Sequence, residues 1–163
     1  MKNRTVQIIS LLFGIVLATA VQDLSPSLAG VKPPFVAAVI LFMAFLSPLP
    51  LALVVATVTG LFVDALTGLP ALCATSLLPL LVLGAHFIRK GLPEIPSPMA
   101  GAASTLVAAA IGEVWLAICG FSAVGTELFV RVCAAALLAV PVGAAFFAFL
   151  PWLCRHIGLE DAE

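Results

Sequence analysis

Few residues in this chain could do chemistry, and most of them lie inside or beside long apolar runs. Glu113 is the one acid well within such a run, in Ala109-Ala110-Ile111-Gly112-Glu113-Val114-Trp115-Leu116. Charge at membrane depth is costly, and it usually faces a bundle interior or water. Arg131 falls in the next apolar run, with Glu127 four residues before it on the same helical face. Two arrangements follow: Arg131 neutralises Glu113, Glu127 or both, or each side chain separately reaches the interface along its own stem. Asp64 ends an earlier run, three residues before Thr67. An acid at a helix C-terminus opposes the dipole, so Asp64 is expected to accept hydrogen bonds from the following turn or to cap the next segment.

Catalytic patterns are absent. There is no GxSxG, HExxH, P-loop or dinucleotide fingerprint. An intramembrane aspartyl enzyme would need a second aspartate beside Asp64, and Asp23 and Asp161 belong to a loop and the tail. His86 and His156 read as interfacial. Cys73, Cys119, Cys133 and Cys154 lie far apart with no CxxC pair, which fits small apolar residues rather than a metal site. A disulfide among the first three requires that their segment ends meet. No cofactor or metal is expected.

The elements that hold these residues follow from composition. Of 163 residues, 63% are hydrophobic and 9% charged, with a mean hydropathy of +1.27. Soluble domains carry roughly 25% charged residues, and a water-soluble globule could not hide so much apolar surface. The net charge of −1 points to no nucleic-acid surface. The expected fold class is an all-α membrane protein, a compact bundle of six transmembrane helices forming one domain over 1–163. The expected spans are about 5–22, 33–47, 51–66, 71–88, 99–119 and 127–152. Residues 1–20 have some features of a secretory signal, with Ala18-Thr19-Ala20 as a small-x-small site. An uncleaved first span is preferred because more membrane follows it.

The stretch from Pro34 to Leu66 is the hardest to divide. Ser47-Pro48-Leu49-Pro50 interrupts it, and two prolines in three residues remove helix donors and disfavour helical angles before them. A hairpin of two short helices is expected, with thinning of the bilayer or burial against neighbours to compensate for their length. Lys and Arg positions support six crossings. Lys2, Arg4, Arg89, Lys90 and Arg155 fall on one side, Lys32 and Arg131 on the other, so the positive-inside rule puts both termini in the cytoplasm. Trp115 and Trp152 are placed near opposite interfaces. Ala108 and Gly112, then Ala135, Ala139 and Gly143, recur every four residues, as do Gly14 and Ala18. Such spacing lines a helix face with small side chains that let backbones approach. Pro141 is expected to kink the last helix.

The segment Gly60-Leu61-Phe62-Val63-Asp64-Ala65-Leu66-Thr67-Gly68-Leu69-Pro70 resembles the MreD family of bacterial rod-shape membrane proteins. That family is similar in length, in a G-L-x-x-D-x-x-x-G segment ending its third span, and in a basic-Pro start to its second. Gly60, Asp64, Gly68 and Pro70 fit the first pattern and Lys32-Pro33 the second; Leu72 stands where the family often has Gly. The resemblance spans residues 32–70. It implies a non-enzymatic scaffold in the bacterial cytoplasmic membrane, surrounded by lipid and partnered by an MreC-like protein, with MreB, RodA and a penicillin-binding transpeptidase in the same machinery. Asp64 and its turn would then be structural. The alternative is a substrate-binding subunit of an energy-coupling-factor type vitamin transporter, with the outer acids Asp64 and Glu113 lining a pocket.

Overall fold

The computed structural model describes residues 14–67, 73–89, 97–119 and 125–156. It is all-α, with six helices: α1 (Gly14–Leu24), α2 (Phe35–Leu46), α3 (Leu49–Thr67), α4 (Cys73–Arg89), α5 (Pro98–Ile118) and α6 (Thr126–His156). Three of them, α3, α5 and α6, contain stretches long and apolar enough to cross a membrane. By length and composition the chain is a multi-pass membrane protein.

The break at Ser47-Pro48 falls where the prolines demanded it, but its consequences are unequal. Helix α3 begins at Leu49, so Pro50 occupies the first turn, where a missing N–H costs nothing. With 19 residues, α3 extends about 28 Å at 1.5 Å per residue and is not the short helix expected. Helix α2 is short, at 12 residues or about 18 Å. Its burial compensates. Eight of its residues are buried, among them Ile40, Leu41 and Phe42, and it touches α3, α4, α5 and α6. A helix apolar all round belongs in a core, and α2 supplies the largest share of the buried cluster, to which the other five helices add Ile15, Ala56, Val82, Ala108 and Phe147 among others.

Aromatic contacts join α2 to α6. The rings of Phe42 and Phe45 stand edge-on to Phe147 at 5.3 and 5.8 Å, and Phe35 meets Phe146 at 5.9 Å. Helix pairs α5–α6 and α3–α4 share the broadest contacts. On α5–α6 the small faces pack within the chain: Ala108, Ala135 and Ala139 are buried, and a Cβ on Gly143 would lie 2.5 Å from the Gly101 carbonyl oxygen. Helix α6 continues through Pro141 and Pro151 as a single helix. Ser97 caps α5 by accepting from the Ala100 N–H at 3.2 Å, with Pro98 in the first position. Ala18 and Thr19 lie inside α1, both buried. The Thr19, Thr57 and Thr59 hydroxyls donate to carbonyls four residues back, which satisfies them without water.

Between α1 and α2 the chain makes a tight two-residue turn. Leu28 and Val31 exchange both backbone hydrogen bonds, at 2.8 and 2.9 Å. Ala29 and Gly30 take φ of 51° and 77°, the pair of positive angles that such a turn requires.

Candidate functional site

The ion pairs and the side-chain contacts that join one helix to another gather where α1 ends, α2 begins, α3 meets α4, and α5 meets α6. Four small arrangements build this end.

At the α3–α4 junction, Gly60 and Asp64 stand four residues apart and so share one face of α3. A Cβ on Gly60 would lie 2.5 Å from the Thr75 Cα and 2.8 Å from the Ala74 carbonyl oxygen. Both are backbone atoms, so glycine alone permits this approach. One turn further on, Asp64 accepts from the Ala74 N–H (2.8 Å), the Thr75 N–H (2.9 Å) and the Thr75 hydroxyl (2.7 Å). These amides belong to the first turn of α4, whose N–H groups have no partner within the helix. Asp64 therefore caps α4 from α3. Asp64 is 6% exposed, and the positive end of the α4 dipole offsets the cost of burying its charge. Gly68 and Pro70 lie outside the described residues.

Deeper in the bundle, Glu113 of α5 meets Arg131 of α6. The Arg131 Nε donates to Glu113 Oε2 at 3.0 Å, with side chains 22% and 9% exposed. Glu127 does not share in this pairing. It is exposed, and no ion pair joins it among the described residues. Its place in the first turn of α6 puts its charge at the positive end of that helix, one turn from the plane where α5 presents Glu113. The separate-snorkelling alternative thus fits Glu127 but not Glu113 or Arg131.

The α1–α2 loop is pinned over this end. Lys32 Nζ donates to the Asp23 carboxylate at 3.0 Å and to its backbone carbonyl at 3.1 Å, while Gln22 accepts from the Val36 N–H at 3.2 Å. Arg131 Nη1 would lie 3.8 Å from a Cβ on Gly30. The remaining arrangement is a thiol pair. Cys73, at the start of α4, and Cys119, just past α5, are close enough for their side chains to interact, and both are free. Their segment ends do meet; Cys133 is exposed elsewhere on α6.

Between these groups lies a cavity of about 270 Å³, bounded by Lys32, Glu113, Trp115 and Arg131 on its polar side and by Leu77 and Ala108 on its apolar side. Trp115, expected at the interface, is half-buried and lines this cavity. Its indole nitrogen is buried, with no hydrogen-bond partner among the described residues. Trp152 is exposed and packs on Phe149 at 5.5 Å. No group of three or more metal-ligating side chains occurs among the described residues. Thr75 and Gln22 escaped sequence reasoning. Thr75 carried a faint signal, as a hydroxyl in the first turn of a helix that follows an acid.

Comparison with protein-family models, curated proteins and solved structures finds no match for this chain.

Proposed function

We propose that this protein is a non-enzymatic scaffold subunit of the bacterial cell-elongation machinery, an MreD-like partner of an MreC-like protein. In this reading it sits in the cytoplasmic membrane as six spans with both termini inside, near MreB, RodA and a penicillin-binding transpeptidase. The observation that carries the reading is what Gly60 and Asp64 do. In the segment that resembles the family, the glycine admits the α4 backbone and the aspartate caps it. The acid is thereby committed to joining two helices, as a structural motif requires. The distribution of Lys and Arg, five against two, supports the orientation. Outside the bundle the chain offers mainly apolar helix faces and short loops, which suit docking to other membrane segments.

A second reading, a vitamin-uptake subunit, is favoured by the cavity at the polar end. One experiment separates them. Depletion in a rod-shaped host should round the cells and release the MreC-like protein from cross-linked complexes. Normal shape together with a new vitamin requirement would replace the scaffold reading with the uptake reading.

A further inference from the structure

We infer that the cavity beneath the α1–α2 loop is a binding site for a small zwitterion, an ammonium and an oxyanion on an apolar stem. The inference stands apart from the scaffold reading and holds or fails without it.

Three observations converge. The first is charge. Glu113, Arg131 and Lys32 line the cavity; the Lys32 charge is already matched by Asp23 at 3.0 Å, so beyond that pair the lining carries one acid and one base. A lone anion would meet Glu113 and a lone cation would meet Arg131, whereas a zwitterion presents each group with its opposite. The second is unused hydrogen-bonding capacity. The ion pair is made through Arg131 Nε and Glu113 Oε2. Among the described residues the two terminal amino groups of Arg131 and the second oxygen of Glu113 make no other hydrogen bond. A guanidinium offers five donors in a planar fork, and four of those donors remain for an oxyanion. Glu113 Oε1 remains for an ammonium. The buried indole N–H of Trp115, which also lines the cavity, lacks an acceptor among the described residues. Such an orphan calls for an explanation, and a ligand oxygen reached by a small turn of the ring would supply one.

The third observation is shape. Leu77 and Ala108 continue the cavity into an apolar wall, so a ligand seated there is polar at one end and apolar at the other. The volume of about 270 Å³ is, at about 30 Å³ per water-sized group, room for roughly nine such groups. That admits a head and a short stem but not a whole lipid. The shared chemistry is therefore an ammonium–oxyanion head, supplied either by a soluble zwitterion or by a lipid headgroup whose tails remain outside.

The test uses the full chain in neutral detergent, with Trp152→Phe so that Trp115 alone reports. Fluorescence is followed while phosphoethanolamine, lysophosphatidylethanolamine, inorganic phosphate and ethanolamine are titrated separately. The expected result is saturable change with at least one zwitterion, at least tenfold tighter than with phosphate or ethanolamine. Saturation by phosphoethanolamine assigns the site to a soluble ligand, and saturation by the lysolipid alone assigns it to a headgroup. Glu113→Gln should weaken the zwitterion at least tenfold. Gly112→Leu projects toward one ordinary contact, Leu77 at 3.7 Å, and should block binding while the helical circular dichroism is retained. No saturable response to either zwitterion, equal affinity for phosphate alone, or unchanged binding in a folded Gly112→Leu protein would overturn the inference.

Discussion

Replacing Asp64 is the sharpest perturbation of the helix junction, and its cost can be worked from the contacts. The carboxylate accepts two backbone N–H groups and one hydroxyl at 2.7–2.9 Å. A hydrogen bond to a charged group contributes about 1.5–3 kcal/mol, but these share one acceptor and are not additive. Loss of a helix cap costs about 0.5–2 kcal/mol. Asp64→Ala should therefore destabilise the protein by about 3 kcal/mol, through loss of the cap and orphaned Ala74 and Thr75 amides. Asn keeps one acceptor oxygen and turns an NH2 toward the second amide, so Asp64→Asn should fall between, at about 1.5 kcal/mol. Thr75→Val removes only the hydroxyl donor, for about 1 kcal/mol, and its effect should shrink when Asp64 is already alanine. Equilibrium unfolding in mixed micelles, followed by tryptophan fluorescence and circular dichroism, measures each variant. Should Asp64→Ala unfold within about 0.5 kcal/mol of the parent, the spread expected for neutral surface changes, the cap is not holding α3 to α4.

Three further outcomes follow from the same contacts. Gly60→Ala puts a methyl 2.5 Å from the Thr75 Cα; neither helix backbone can yield locally, and about 1–3 kcal/mol should be lost, whereas tolerance would show that the helices can separate. Glu113→Gln and Arg131→Gln should each cost about 2–3 kcal/mol in the same unfolding assay, below the range for fully buried pairs because Arg131 is 22% exposed. Exchanging the two charges should recover part of that loss, and equal tolerance of each single change would mean that the groups are solvated. Lys32→Met should cost under about 1 kcal/mol, with less effect at high salt, because both members of its pair are more than 40% exposed. A larger, salt-independent loss would mean that the loop is buried more deeply than its exposure indicates.

Much of the fold could be read in the sequence because lipid leaves few options. Apolar runs, and the proline pair at 48 and 50, located the bounds of α2 to α6 to within a few positions; the start of the first expected run lies outside the described residues. The start of α3 moved because Pro50 sits comfortably in a first turn, and α6 runs past Trp152 because an apolar pattern cannot mark where a helix ends. Burial of α2 was harder to foresee. Its residues are as apolar as those of a lipid-facing helix, so periodicity could not separate core from membrane. At the site, Glu113 and Arg131 were visible as charges at matching depth, but choosing Glu113 over Glu127 required the rotation of α5 against α6. Asp64 announced a cap; that Gly60 serves the same junction emerges only from the 2.5 Å approach of Thr75. Trp115 looked like an interface residue because its ring is amphipathic, and the cavity it lines has no counterpart in local sequence.

The orientation of the bundle underlies both the scaffold reading and the cavity's side of the membrane, and cysteine accessibility in intact cells measures it directly. With the native cysteines replaced by serine, single cysteines at Ala29 in the α1–α2 turn and at Glu160 in the tail are treated with a membrane-impermeant maleimide. Labelling at position 29 from outside, and at position 160 only after the membrane is opened, is the predicted result. Labelling of position 160 in intact cells would contradict it.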